Sequence, residues 1–329
     1  NGADISSLYY DDGYLFFSVD PKETGIYGDS IDLEIRISEG PQATIKNVII
    51  EGNDKTSEHV IRRELRTMPG QKFSRTDLIR SQREIANLGF FDPQATQVVP
   101  VPNPQDGTVD IKYVVTEKSA DQIELSAGWG GSQGIIGTLG LSFNNFSLRN
   151  IKEKKAWTPL PTGDGQKLSI RVQSNGKQYQ TYNFSFTEPW LGGRKPNALS
   201  FSAFRSRYQI LNYSTNKATG NQITNGASVA LGTRLKFPDD YFVFQTSLNY
   251  QNYGLKNFSE RIYSEKTTIE NGSFNNLNLK LTLSRNSMDQ PLYPTSGSNV
   301  SLSGQFTIPY SLFRKDDFYK DVSVEDKWK

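Results

Sequence analysis

The chain has 329 residues, with 37 Lys+Arg against 35 Asp+Glu, one histidine and no cysteine. So even a charge balance gives no footing for nucleic acid as a partner. The missing cysteines exclude disulfides, thiolate catalysis and cysteine metal sites, and a lone His59 leaves little for a histidine metal cluster or a Ser-His-Asp triad. From Asn1 onward there is neither a basic n-region nor an apolar h-region, so any signal peptide is expected to have been removed. No apolar run reaches the ~18 residues that a membrane-spanning helix requires. A barrel stays open, because its strands carry their apolar residues at every second position.

In chain order, residues 1–40 hold Tyr14-Leu15-Phe16-Phe17 after Gly13, and then Gly28-Asp29-Ser30-Ile31-Asp32-Leu33. The next segment repeats both: Phe90-Phe91-Asp92-Pro93 follows Gly89, and Asp106-Gly107-Thr108-Val109-Asp110-Ile111 comes later. Ile31 and Val109 are 78 residues apart. Between the copies lie a strand pattern at 44–50 and a helix entered at Thr56 or Ser57, carrying Ile61, Leu65 and Met68 and stopped by Pro69-Gly70. A second helix is capped by Ser74 with Asp77 at its third position; it places Leu78, Ile85 and Leu88 on one side and ends at Gly89. Strand patterns at 96–101 and 109–116 follow. The order from 41 to 118 is β-α-α-β-β, and residues 1–40 read as the second half of the same unit, so the chain is expected to begin inside a repeat.

From Asp121 the period is two. Ile123, Leu125, Ala127 and Trp129 alternate with Gln122, Glu124, Ser126 and Gly128, and the alternation recurs around 139–143, 168–172, 182–186, 199–203, 227–237, 242–250, 277–283 and 300–306. That makes nine strands, with a weaker tenth near 318–324. The stretches 206–224 and 252–272 are rich in Asn, Thr, Ser and Lys and read as long outer loops, while 188–197 and 237–240 read as inner turns. Short inner turns with longer outer loops are the habit of outer-membrane barrels. The short connections at 130–134 and 174–177 and the long inner turn at 150–165 depart from it. Tyr179, Trp190, Tyr241, Tyr250 and Tyr293 fall near strand ends, where aromatic girdles sit. A soluble sandwich is the rival reading.

Residues 41–118 resemble a POTRA domain, the polypeptide-transport-associated repeat. The residues that carry the likeness are 45–53 (IKNVIIEGN), 61–65 (IRREL) and Leu88-Gly89-Phe90-Phe91. Phe186-Thr187-Glu188-Pro189-Trp190 and Tyr293-Pro294-Thr295-Ser296-Gly297 are similar to recurring segments of the BamA-type barrel. The resemblance implies an α+β POTRA module, preceded at 1–40 by the C-terminal part of another and followed at 119–329 by the first of sixteen antiparallel barrel strands. The family's late Arg-Gly-Phe/Tyr loop motif is not in this sequence, so the chain is expected to stop mid-barrel. It further implies outer-membrane localisation with the modules in the periplasm. The implied activity is non-enzymatic folding and insertion of β-barrel proteins, with no cofactor. The implied partners are outer-membrane lipids, unfolded outer-membrane clients and accessory lipoproteins. In the family the first barrel strand meets the last at a weak lateral seam; here that strand is Gln122, Ile123, Glu124, Leu125, Ser126, Ala127, Gly128 and Trp129. A client strand would pair there by β-augmentation. The module's edge strand, at Thr96, Gln97, Val98 and Val99, is a second augmentation candidate, limited by Pro93, Pro100, Pro102 and Pro104.

Other residues read plainly. Glu188-Pro189-Trp190 and Asp289 lack the second carboxylate or base that acid–base chemistry needs, so both read as turns. Gly128, Gly130, Gly131, Gly134 and Gly137 lack the Lys-Ser/Thr and the helix of a phosphate loop, and read as a hairpin. His59 reads as a solvated helical residue and Lys152-Glu153-Lys154-Lys155 as a wet turn. The rival functions are a secretion transporter of the two-partner type, a passive porin and a soluble carbohydrate-binding β-protein.

Overall fold

A computed structural model describes residues 5–131, 134–157, 159–212, 217–258, 261–262, 265–266, 271–288 and 293–307. The N-terminal elements are α1 (Ile5–Asp11), β1 (Ser18–Tyr27), β2 (Ser30–Ser38), β3 (Thr44–Glu51), α2 (Glu58–Arg62), α3 (Arg75–Asn87), β4 (Gln97–Asn103) and β5 (Thr108–Val114). β3, β5 and β4 form a three-stranded sheet in that order, β3 running parallel to β5 and β4 antiparallel to it. A parallel neighbour needs a crossover, and α2 with α3 supplies it. Alternate residues of β5 enter the core: Val109, Ile111 and Tyr113 are buried, with Ile45, Val60, Ile61, Ile85, Phe90 and Phe91 packed around them. Each such side chain contributes about 1.5–3 kcal/mol by leaving water. Burial pushes the Tyr113 phenol above its ordinary value, and its hydroxyl shares a 2.7 Å hydrogen bond with Thr67 Oγ1.

The predicted helix through Met68 ends at Arg62. Tertiary bonds take over the backbone: Arg66 N–H donates to Ser81 Oγ at 2.8 Å, and the Thr67–Tyr113 bond draws the chain into the core. Leu65 is buried as expected; Met68 is exposed. α3 follows its sequence. Ser74 Oγ accepts from Asp77 N–H at 3.2 Å, and Gly89 takes φ +85° just past the C-cap. Asp11, at the end of α1, accepts from Thr76 N–H at 2.7 Å and so adds a second cap. Replacing Ser74 by alanine is expected to cost about 1 kcal/mol. A calorimetric midpoint unchanged from wild type would show that Asp11 alone satisfies this helix end.

The second part is one antiparallel sheet. Its strands are β6 (Gln122–Trp129), β7 (Ile135–Phe146), β8 (Gln166–Asn175), β9 (Tyr179–Glu188), β10 (Asn197–Asn212), β11 (Lys217–Arg234), β12 (Phe242–Lys256), β15 (Gly272–Asn286) and β16 (Asn299–Thr307). Between β12 and β15 lie two short paired strands, β13 (Arg261–Ile262) and β14 (Glu265–Lys266). The nine strands follow chain order from β6 at one edge to β16 at the other. All nine predicted strands are present; the weaker tenth lies outside the described residues. The stretch 206–224 is corrected. Apart from 213–216 it is paired strand, Ser206 opposite Thr224 and Arg207 opposite Ile223. Its Asn, Thr and Ser composition marks strand that projects beyond an apolar band, not loop. β12 likewise runs on to Lys256.

Register assigns the two faces. Phe186, Phe201, Val229, Leu248, Leu279 and Phe306 form one row across the sheet; Ser185, Ser202, Ser228, Asn249, Asn278 and Thr307 form a row on the opposite face. The apolar face is the open one. Leu248 is 50% exposed, whereas Asn278 is 4% exposed and bonds Asn249 at 3.0 Å. A soluble sandwich does the reverse, burying its apolar face against a second sheet. Among the described residues the cluster of buried hydrophobic side chains lies wholly in the α/β module. An exposed apolar band backed by a polar face is the pattern of a sheet solvated by lipid.

The contacts divide the chain into two compact units, 1–122 with 142–167, and 123–141 with 168–329. The inner end of the β7–β8 hairpin therefore belongs with the α/β module.

Candidate functional site

β6 coincides with the predicted seam strand, Gln122 to Trp129. Among the described residues it pairs only with β7, and no described strand lies on its other edge. All eight residues are exposed; Leu125 is 78% so. β6 meets β7 closely around Ser126. Thr138 N–H donates to Ser126 Oγ at 3.2 Å, and beside it a Cβ at Gly137 would lie 2.7 Å from Ser126 O, so that glycine permits the close approach. The link beyond β7 is an ion pair: Glu124 accepts from Arg171 of β8 at 3.0 Å, over Gly140, whose missing side chain leaves the room. Both partners are about half exposed, so the pair adds little. At the outer end Gly130 N–H bonds Gly134 O at 2.8 Å, and Gly131 and Gly134 both take positive φ, closing the predicted Gly-rich hairpin.

The long inner turn at 150–165 is an anchor. It folds as two 3-10 turns, Arg149–Lys152 and Lys154–Ala156, and then returns through Thr162-Gly163-Asp164-Gly165 against the start of α2. Ser57 N–H donates to Gly163 O at 2.9 Å, Arg63 Nη2 to Asp164 O at 3.2 Å, and Asn145 Nδ2 to Thr56 Oγ1 at 2.8 Å. The Asp164 carboxylate is 8% exposed; Ser147 Oγ donates to it at 2.7 Å and His59 Nε2 faces it at 3.5 Å. Gly165, at φ +71°, packs closely on α2: a Cβ there would lie 3.0 Å from Val60 Cγ1. His59 is thus half exposed and paired, where a solvated residue was expected. Lys152 to Lys155 are exposed, as expected.

The strand-end segments fall at inner turns. Phe186, Thr187 and Glu188 end β9; Thr187 Oγ1 meets Ser200 Oγ at 3.0 Å, and Glu188 accepts from Trp190 N–H at 3.1 Å after Pro189. Tyr293, Pro294, Thr295 and Gly297 lie in the turn before β16. Gly297 has φ +96°, and a Cβ there would lie 2.2 Å from Ser287 O. Asp289 lies outside the described residues. Sequence reasoning missed Arg285, which ties the 237–240 turn to Ser287 and Ser298 on either side of the turn before β16. It donates to Asp239 at 2.9 Å, to Ser287 at 2.7 Å and to Ser298, and lies over the Tyr241 and Phe242 rings. Nothing in a single Arg after an alternating run signals that role.

On the module, Val98 and Val99 lie in β4, an edge strand. Thr96 is corrected: it is buried before the strand begins, with its N–H and hydroxyl both bonded to Asp92 O at 3.0 and 2.7 Å. Among the described residues no group of His, Cys, Asp and Glu is placed to hold a metal.

The POTRA family model, described as a surface antigen variable number repeat, matches residues 43–118, and the Omp85 superfamily domain matches residues 162–323. The chain is a BamA-like member of the Omp85 superfamily. The outer membrane protein assembly factor BamA of Neisseria meningitidis serogroup B is 27% identical over 291 residues, covering 86% of this chain and 34% of that protein. BamA of Nitratidesulfovibrio vulgaris is 27% identical over 188 residues, 56% of this chain and 21% of that one. The crystal structure of BamA from Haemophilus ducreyi lacking POTRA domains 1–3 matches with a TM-score of 0.62 at 20% identity, over 93% of this chain and 56% of that chain. The chain therefore spans about a third or less of the curated relatives' length. Its fold is a POTRA module followed by part of an antiparallel transmembrane β-barrel, set in the outer membrane with the module in the periplasm.

Proposed function

We propose that this chain takes part in folding β-barrel proteins and inserting them into the outer membrane, and that β6 is where client strands are received. One observation carries the reading: the edge strand of a lipid-facing sheet follows directly on a POTRA module. A client hairpin entering lipid must satisfy its backbone at once. The outer edge of β6 offers it a ladder by β-augmentation. The energy comes from the client's own folding, with no nucleotide or metal. The membrane lipids around the apolar band and accessory periplasmic or surface lipoproteins complete the partners.

The same reading assigns residues 41–118 to a complete POTRA domain, 119–329 to the start of the barrel and 1–40 to the second half of another POTRA domain. Ile31, Leu33, Ile35 and Ile37 stand 78 positions before Val109, Ile111, Tyr113 and Val115, the stripe that is buried in the complete module. Augmentation at β4 is narrower than the strand. Pro100 and Pro102 have no N–H, yet the ladder to β5 runs from Gln97 to Asn103, so it is the odd positions that bond inward. The outward side keeps the Val98 donor alone of Val98, Pro100 and Pro102, which confines a partner strand to Gln97, Val98 and Val99.

The chain has no cysteine, which makes the test direct. Ser126→Cys in the full chain, in membranes, is expected to form a mixed disulfide with an incoming barrel client that carries one cysteine in its terminal strand. Ser228→Cys, in the middle of the sheet, is expected to form none. Equal capture at both positions, or capture at neither, would sink the reading; capture of an exported passenger in place of a barrel client would favour a secretion transporter.

A further inference from the structure

The outer half of β10 breaks the apolar face in one column. Leu199, Phe201 and Ala203 are followed on the same face by Arg205 and Arg207, both exposed. Arg205 lies in a cross-strand row with Tyr182 and Asn225, continued by Asn252 and Asn275; Arg207 lies in the next row, with Gln180 and Ile223. The first of these rows is the outer boundary of the apolar band: one step inward it reads Phe184, Ala203, Ala227, Tyr250 and Leu277. None of the four cross-strand neighbours of the arginines is acidic. Gln209, with its amide oriented to donate to Lys177 O, accepts from Arg207 Nη2, a neutral partner that leaves the other guanidinium donors available. A third cation, Lys256, stands on this face across Asn221.

Directly inward of Arg205 the face is dented. A shallow cavity of about 370 Å³ is lined by Ile170, Val172, Tyr182, Phe184, Ala203 and Arg205. Ala203 is the small residue that leaves the room, beside Phe184 across the strands and Phe201 along its own. Two guanidinium groups at the edge of the hydrocarbon, above an apolar dent, match one kind of molecule. We propose that Arg205 and Arg207 bind the phosphate of an anionic lipid of the outer leaflet, with an acyl chain of that lipid seated over Ala203. Arginine pairs suit phosphate because the planar fork donates two parallel bonds. The surrounding Tyr182 and Asn225 belong at the headgroup level. The proposal rests on the apolar band facing lipid.

The test uses the full chain in dodecylmaltoside micelles, titrated with dioleoyl phosphatidic acid or dioleoyl phosphatidylcholine and read by native mass spectrometry. Phosphatidic acid is expected to bind about ten-fold tighter or more than phosphatidylcholine, and the Arg205→Gln/Arg207→Gln pair to lose about ten- to thirty-fold. Ala203→Leu, which fills the dent, is expected to weaken phosphatidic acid several-fold and to leave inorganic phosphate unaffected. Equal binding of the two lipids overturns the proposal. So does an equal loss from Arg194→Gln/Lys195→Gln at the inner turn, which would mean diffuse charge. Displacement by inorganic phosphate at equal concentration, with no effect of Ala203→Leu, would mean an ion site and also overturns it. Strand content by circular dichroism and detergent dependence are checked in each variant. Their loss would indict the membrane sheet, and their retention isolates the lipid site.

Discussion

Gly52→Ala is expected to lower the melting temperature of the POTRA module by about 15 °C, from a loss of about 3 kcal/mol in a domain of this size. Gly52 ends β3 at φ +90°, and a Cβ built there lies 1.9 Å from Val115 O and 3.1 Å from its carbon. Both are backbone atoms, so no side chain can swing aside. Relief requires β3 to part from the end of β5, where Val115 N–H donates to Glu51 O at 2.8 Å. That junction also leads, through Glu117, to the α2 entry: the carboxylate accepts from Thr56 N–H at 2.7 Å and from Lys55 N–H at 3.1 Å. Gly107 supplies the control. It has φ +63° with nothing within 4 Å of its Cβ, so alanine there meets backbone strain alone, about 1 kcal/mol. Calorimetry of the full chain in micelles compares the two. Equal shifts would mean that left-handed φ, and not the close approach to Val115, is what reserves position 52 for glycine.

What the sequence disclosed and what it hid divide along the range of the interactions. β6 was legible to its ends because period-two alternation is a local signal, and because Asp121 and the glycines from Gly128 punctuate it. α3 was legible for the same reason: Ser74, Asp77 and Gly89 act within a turn of their own helix. α2 was overextended because its end is fixed by Ser81 and Tyr113, far away in sequence, which take over the backbone and side chain of Arg66 and Thr67. The 206–224 stretch was misread because polar residues in water-exposed strand and in loop have the same composition; only the register to β11 distinguishes them. Thr96 alternates correctly for a strand but is claimed by Asp92. Arg285 and Asp164 were invisible as site residues, since each matters through partners more than ten positions away in sequence. The nine strands, and the likeness that named their family, needed none of these contacts.

Asp164→Ala is expected to release the β7–β8 turn from the POTRA module and to speed amide exchange at Ser57 about 30- to 150-fold, the equivalent of the ~2–3 kcal/mol that a buried charged hydrogen-bond acceptor supplies. The carboxylate accepts from Ser147 Oγ, itself fully buried, so its loss strands a hydroxyl donor as well as removing the group opposite His59. Asp164→Asn keeps an acceptor for Ser147 and should lose less, roughly five-fold. Hydrogen exchange on the full chain in micelles reads the result at Ser57, whose N–H is bonded to Gly163 O, and at Gly165, whose N–H is bonded to Asn145 Oδ1 at 2.9 Å. Amides of α3 report on the module itself and should hold their protection. If α3 exchanged as fast as Ser57, Asp164 would be a fold residue and no strap. Exchange at Ser57 equal to wild type would mean that the backbone bond to Gly163 holds the turn without the carboxylate. The selective outcome bears on the seam. β7 is the one described strand that pairs with β6, and its inner end, from Ser142, is part of the unit that contains the module. In the Asp164→Ala chain the β6 edge is unchanged while that connection is cut. Capture of a client by Ser126→Cys should then persist.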